Sequence, residues 1–170
     1  MGGSTLTTIE RGQLLAGVIK SYMGLADGRV ILGDERLDAP EDSGIYVIVI
    51  YDAPQVLGIN AKRDYSANTE TMSASTHERW LVEVVSAGYD AANRYMEVYQ
   101  AIASSAGIQA AEAAGCAFFR GTPLNLSAIE NTATLRRYQL PVIITSVQSK
   151  TSAAVMIDKF PAPEIKVEAR

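Results

Sequence analysis

The chain has 170 residues, 48% of them hydrophobic and 20% charged, with a net charge of −4. These globular values exclude a disordered chain, and the acidic balance argues against a dedicated nucleic-acid binder. A single cysteine, Cys116, excludes an internal disulfide and a cysteine-based zinc cluster. The longest apolar run, residues 45–51, is far short of a membrane span. The first residues carry no basic-then-apolar signal pattern, and Leu6 stands where myristoylation needs Ser or Thr. The expectation is a soluble protein made in a reducing compartment, with no membrane partner.

Thr7-Thr8-Ile9-Glu10 reads as a capping box, with Thr7 as N-cap of a first helix and Glu10 reaching back. Ile9, Leu15, Val18, Ile19, Tyr22 and Met23 share one apolar face. Gly12 and Gly17 each weaken such a helix by roughly 1 kcal/mol relative to Ala. Either another backbone lies close to them or they are merely tolerated. Residues 29–32 predict a short strand, and residues 33–44 an acidic loop. Residues 45–51 are apolar on both faces, as in a strand covered on both sides. Asp52-Ala53-Pro54 interrupts that strand, and residues 55–63 continue as a second one. Residues 64–76 are rich in Ser, Thr and Asn, with only Tyr65 and Met72 large and apolar. They predict a long polar hairpin loop, a kind of segment that is often functional.

The predicted nucleus follows. Over residues 78–85, Trp80, Val82 and Val84 share one face of a strand while Arg79, Leu81, Glu83 and Val85 share the other. Ser86-Ala87-Gly88 breaks the alternation. Ala92, Tyr95, Met96, Tyr99, Ile102 and Ala103 then fall at helical steps, predicting an amphipathic helix of about four turns. Residues 108–114 predict a second, Ala-rich helical segment closed by Gly115. Residues 116–119 are short and apolar, 124–127 irregular, and 134–149 the last long extended run. Pro141 cannot donate to a ladder, so this run is an edge strand or carries a bulge. Residues 153–157 are expected to pair back as a final strand. The fold class is therefore α+β. It has a mostly antiparallel, mixed sheet of about four to six strands, with two main helices packed on it. A single domain spans residues 1–159, and residues 160–170 form an extended tail.

Chemistry is harder to compose from these residues. His77 is the only histidine, so any Ser–His–Asp or Cys–His mechanism must run through it. It stands at the expected loop–strand junction, where an exposed histidine needs no special role. Cys116 is followed by Ala117, Phe118 and Phe119, a setting for an inert buried thiol. The acidic loop lacks EF-hand spacing; a solvated loop is the default and a weak cation site the alternative. No Gly-rich loop follows a strand at phosphate-binding spacing. Arg136-Arg137 is the one basic doublet, and on a strand the two point to opposite faces. No catalytic, cofactor-binding or metal site emerges, so the chain is read as not an enzyme.

Two passages carry a resemblance. They are Trp80-Leu81-Val82-Glu83-Val84-Val85-Ser86-Ala87-Gly88-Tyr89-Asp90-Ala91-Ala92 and Leu124-Asn125-Leu126-Ser127 followed by Leu135-Arg136-Arg137-Tyr138-Gln139-Leu140-Pro141-Val142. Over about residues 40–150 the chain resembles the tail and neck terminator (head–tail joining) proteins of tailed bacteriophages. It departs from them in having no Glu before Arg136 and in carrying Pro141 within the last strand. The resemblance implies a structural virion protein of the tail or neck, made in the host cytoplasm, with no cofactor. It implies a homo-oligomer, a hexameric ring that caps the tail tube and joins it to the head connector. Genomic DNA would pass through the lumen without sequence-specific binding. The interface candidates are Tyr65, Met72 and His77 on the loop, Arg136 and Arg137 on the edge strand, and Phe160 on the tail. The rival readings are a small α/β ligand-binding or enzymatic domain, and another ring-forming virion subunit such as a tube or connector-completion protein.

Overall fold

A computed structural model describes residues 6–33, 44–127 and 135–154. The first helix, α1 (Thr8–Met23), starts at the expected capping box: the Thr7 side chain accepts from the Glu10 N–H while Glu10 reaches back to the Thr7 N–H. Gly24, in the left-handed region, ends it. Its buried face is Arg11, Leu15, Ile19 and Met23, one residue per turn, with Gly12 beside Arg11. Ile9 and Tyr22, expected on that face, are exposed. The charged Arg11, one turn before Leu15, is buried on that face in place of Ile9.

The sheet runs in the order β1 (Val30–Leu32), β2 (Tyr46–Asp64), β3 (Thr69–Ser86), β6 (Arg136–Ala153), β4 (Cys116–Arg120), and β5 (Leu124–Asn125) also pairs with β6. Among the described residues only β1 and β2 pair in parallel, and the other pairs are antiparallel. The α+β class with a mixed sheet is as the sequence predicts. Val47 and Val49 on β2, Trp80, Val82 and Val84 on β3, and Leu140, Val142 and Ile144 on β6 bury one face of the sheet against the helices. On the other face Ile31, Tyr46 and Val85 form a smaller cluster with Ile48 packed on it.

The predicted four-turn helix is two pieces, α2 (Asp90–Arg94) and α3 (Glu97–Ala103), and α4 (Ser105–Ala113) follows directly. The backbone stays right-handed through Tyr95 and Met96, but its bonds tighten there to three-residue steps, Val98 N–H to Tyr95 O and Tyr99 N–H to Met96 O. The break falls where Arg94 donates to the Met23 carbonyl at the end of α1 and Tyr95 stacks on Tyr138. Ser86, fully buried, shapes the strand-to-helix passage by accepting from the Ala91 N–H and donating to the Gly88 carbonyl. The α4 helix begins three residues before the predicted segment, because the Ser104 hydroxyl caps it by accepting from the Gly107 N–H at 3.0 Å.

The largest departure from the sequence reading is residues 64–76. They are not a long loop. Asp64 ends β2, Tyr65 to Asn68 turn, and Thr69 to Thr76 are paired with β2 on one side and β6 on the other. The Asp52-Ala53-Pro54 interruption survives only as a register shift between Tyr51 and Ala53, with a second shift between Val56 and Gly58. Ala153, expected to open a returning strand, instead ends β6 opposite Thr69. The rest of that expected strand, the residue 160–170 tail, Phe160 and nearly all of the acidic loop lie outside the described residues.

Nor is β6 an edge strand where Pro141 sits. Pro141 is opposite Leu81 of β3, and its carbonyl accepts from the Gly121 N–H on the other side. In an antiparallel ladder a residue's N–H and C=O point the same way, so the missing proline donor falls between the end of β4 and the start of β5. No ladder bond is lost there.

The two α1 glycines separate cleanly. A Cβ on Gly12 would lie 2.4 Å from the Trp80 ring, whereas one on Gly17 would meet nothing within 4 Å. Gly12 is required by a side chain, not by a second backbone. Gly12→Ala is expected to cost about 1–3 kcal/mol by overpacking. Gly17→Ala is expected to gain about 0.5–1 kcal/mol by helix propensity. Urea unfolding of the two variants checks both signs.

Candidate functional site

Beyond the helix layer the sheet continues as a bare three-stranded arm. It comprises residues 53–64 of β2 and 69–79 of β3, joined by 147–153 of β6 beyond the last β4 pair at Ser146. At about 3.3 Å per residue the outer ten residues of β2 reach roughly 30 Å. Register settles the arm's faces. On the helix side β2 and β3 present Val56, Ile59, Ala61, Met72 and Ala74, flanked by Gln148 and Lys150 of β6 and by Arg63 and Glu70 toward the tip; Val56 is 58%, Ile59 63% and Met72 42% exposed. The other side carries hydroxyls and amides. Thr71 bonds Thr151 and Ser73 bonds Ser149, each at 2.9 Å, with Asn60 and Lys62 alongside. A strip of exposed apolar side chains rimmed by polar ones on a projecting sheet marks a contact surface.

The tip is closed by side-chain chemistry. Asp64 accepts from the Ser66 N–H at 2.9 Å, the Ser66 hydroxyl at 2.7 Å and the Ala67 N–H at 3.1 Å, which holds its carboxyl below the usual range. Asn68 takes the left-handed conformation the turn needs. Arg63 lies over the Tyr65 ring, 5.5 Å from its centroid.

At the base, a buried ion pair ties the arm to the helices. Arg11 is 1% and Glu78 3% exposed. Arg11 donates through Nε and Nη2 to the two Glu78 oxygens, at 2.9 and 2.5 Å, and Thr8 donates to Glu78 at 3.1 Å. A further Arg11 bond reaches the Leu6 carbonyl. The hydrogen bonds that Arg11 donates to Glu78 hold its guanidinium above its usual range, against the cost of burial. Neither apolar periodicity reveals this pair, because a charged residue counts toward neither apolar face. The only sequence signal was the step of four from Arg11 to Leu15 and of two from Glu78 to Trp80.

The sequence-predicted site residues scatter. Tyr65 is at the arm's tip and Met72 on its apolar face, a strand position where a loop was expected. His77 is also within β3, between Gln55 and Thr145, not at a loop junction. It leaves the sheet on the hydroxyl side. Cys116, opposite Ser146, leaves on the helix side, so no Cys–His pair forms. Cys116 is buried, as expected; burial pushes its thiol up, Arg11 draws it down and Glu78 pushes it up. Arg136 and Arg137 do point to opposite faces. Arg136 lies 4.1 Å over the Tyr89 ring, and Arg137 donates to buried Glu83 at 2.7 Å, which also accepts from Gln139 at 3.1 Å. Among the described residues no three His, Cys, Asp or Glu groups cluster to hold a metal, and no helix is long and apolar enough to cross a membrane. A groove of about 670 Å³ between α1 and α4 is lined by Leu14, Gly17, Val18 and Tyr22, among others; Tyr22 is its only titratable lining.

No protein-family model matches the chain, and no curated protein matches it by sequence. Among solved structures, it is similar to the sheath/tube terminator of an extracellular contractile injection system, PVC, in its extended state. That match has 14% identity and a TM-score of 0.48, covering 99% of this chain and 66% of that one. The chain thus spans just under two thirds of that terminator's length. It is also similar to a chain of the virion of a native gene transfer agent particle, at 13% identity and a TM-score of 0.38, covering 82% of this chain and 92% of that one. At these identities neither likeness carries a function across.

Glu78→Ala leaves a buried guanidinium without its counter-charge, and is expected to cost about 3–5 kcal/mol in urea unfolding. A loss below about 1 kcal/mol would contradict the ion pair's role. A second expectation concerns alkaline pH. Burial holds the Cys116 thiol and the Tyr46 and Tyr99 phenols above their ordinary values of 9.0 and 10.0. Above those values the unfolded chain sheds protons that the folded chain keeps. Stability is therefore full below about pH 9 and falls as pH rises further. The urea midpoint should drop between about pH 8 and about pH 10.5, and Cys116→Ser should flatten part of that slope.

Proposed function

We propose that this chain is a ring-forming assembly subunit and, within that class, a tail or neck terminator. The ring would cap a tail tube and join it to the head connector. The observation that carries this reading is the arm: a three-stranded projection, clamped to the core at its base, with an exposed apolar strip of Val56, Ile59 and Met72 along one face. An isolated enzyme or ligand-binding domain gains nothing from holding Val56, Ile59 and Met72 in water, whereas a subunit that closes a ring buries them. The sequence resemblance points to the same class. A ring of six subunits, as that resemblance implies, would let DNA pass through its lumen. A chain of net charge −4 suits such passage better than a basic one that would grip phosphates.

Tyr65 and Met72 belong to the subunit contact in this reading. Phe160, outside the described residues, is assigned to the same contact through the residue 160–170 tail. His77 lies on the hydroxyl face, and Arg136 and Arg137 at the far end of β6, where an axial neighbour would meet the base of the sheet. The virion is the site of action, after synthesis in the host cytoplasm.

Native mass spectrometry with negative-stain imaging tests the proposal. The wild type is expected to form closed rings that bind uncapped tail tubes. Ile59→Asp with Met72→Asp is expected to give a folded monomer that no longer caps them. A wild type that stays monomeric, alone and with tail proteins, and loses a measurable activity in His77→Ala, would overturn the reading.

A further inference from the structure

The arm has two backbone edges that no described strand covers. β4 pairs with β6 only up to Ser146, and β1 pairs with β2 only up to Val49. Residues 147–153 of β6 and 58–64 of β2 lie on the outer sides of the same stretch of β3, residues 69–75. The two edges therefore match in length and height. The register shift after Val56 marks the lower limit of the β2 edge.

Backbone direction on the β6 edge follows from Pro141. Its carbonyl turns outward, away from β3, to accept from the Gly121 N–H at 2.8 Å. The β3–β6 register runs unshifted from Arg136 to Ala153, so Ser149 and Thr151 turn both backbone groups outward as well. Only Lys150 blunts that edge; it has neither a proline nor a bulge.

We infer that residues 147–153 of one copy pair with residues 58–64 of the next, so that the arms join edge to edge into a closed barrel. β2 and β6 are each antiparallel to β3, so the joining pair is parallel. Rotation about an axis along the arm brings the two different edges together head-to-tail and leaves none exposed once the ring closes. The occupant of each edge is a second copy because the complement is on the same chain, in phase. At equal height Lys150 meets Ala61, while Ser149 and Thr151 meet Asn60 and Lys62. No like charges oppose, the polar face continues across the joint, and on the other face the chains of Gln148 and Lys150 lie against Ile59 and Ala61. Any stagger by an even number of residues keeps those faces. The inference rests on the ring reading above and names how the ring closes.

Cysteine pairs in a Cys116→Ser background test it in the full-length assembly. Ser149→Cys is combined in turn with Gly58→Cys, Asn60→Cys and Lys62→Cys to span the staggers. Within one chain, Asn60 and Ser149 both flank Ser73, so they are about 9.5 Å apart at two strand spacings. A disulfide needs Cα atoms within about 7 Å, so any bond formed joins two copies. Mild oxidation is expected to convert one of these variants into a ladder of crosslinked oligomers ending at the closed ring. Thr151→Pro removes an outward N–H without touching the β3 ladder, and is expected to weaken assembly about tenfold per contact. Rings without crosslinks, and rings unaffected by Thr151→Pro, would overturn edge pairing while leaving the ring reading intact. A wild type that never assembles would overturn both. Loss of the ladder on truncation after Lys159 would give the edge to the tail and overturn the pairing between arms.

Discussion

One buried ion pair decides what the sheet can do. Arg11 and Glu78 sit where three strands leave the cover of the helices, and their charges are all but excluded from water. Burying two charges is costly unless geometry and further hydrogen bonds compensate, and here the fork of Arg11 meets both carboxylate oxygens while Thr8 adds a third donor. A hydrophobic pair could fill that space, but it would not fix direction. The bidentate geometry sets the angle between α1 and β3, with Gly12 against the Trp80 ring just beside it. The arm is aimed by that joint. Without it, β2 and β3 would be a long two-sided ribbon on a small core.

The arm itself is stable through pairing more than burial. Its pairing runs unshifted along the β6 side of β3 and from Gly58 to Asp64 on the β2 side, and hydroxyl pairs such as Thr71–Thr151 and Ser73–Ser149 add about 0.2–1 kcal/mol each. Among the described residues nothing covers the exposed Val56, Ile59 and Met72 on its helix side. Natural sheets usually shorten, bend or charge such a surface, because exposed strands aggregate. Here the two register shifts in β2 bend the lower part, and the tip is capped by Asp64, but the stretch between stays straight and unprotected. That combination is suited to controlled association between like subunits.

The core was legible in the sequence and the arm was not. Trp80, Val82 and Val84 alternate with polar neighbours because only one of their faces meets helices, and a period of two exposes that at once. The Thr7–Glu10 capping box and the opposed Arg136 and Arg137 were equally plain. Residues 69–76 alternate as well, Met72 and Ala74 against Thr71, Ser73 and Ser75. The contrast between a small residue and a hydroxyl is faint, however, and Ser and Thr also signal loops. Their strand state comes from two partners, one five to twenty residues away and the other seventy or more, and no local window contains the second. Arg11 and Glu78 were hidden for a related reason, since each looks like a surface charge until the other is brought to it. Pro141 misled in the opposite sense. It signalled an edge, and the gap between β4 and β5 supplies the equivalent of one inside the sheet.

The central claim is that the arm, not the helical side, is the surface on which copies meet. Hydrogen–deuterium exchange of the dilute subunit against the assembled form tests this most directly. Residues 56–64 and 147–153 are predicted to gain protection on assembly, while the α1–α4 groove around Val18 and Tyr22 exchanges as before. Protection gained at that groove, with the arm unchanged, would contradict the account.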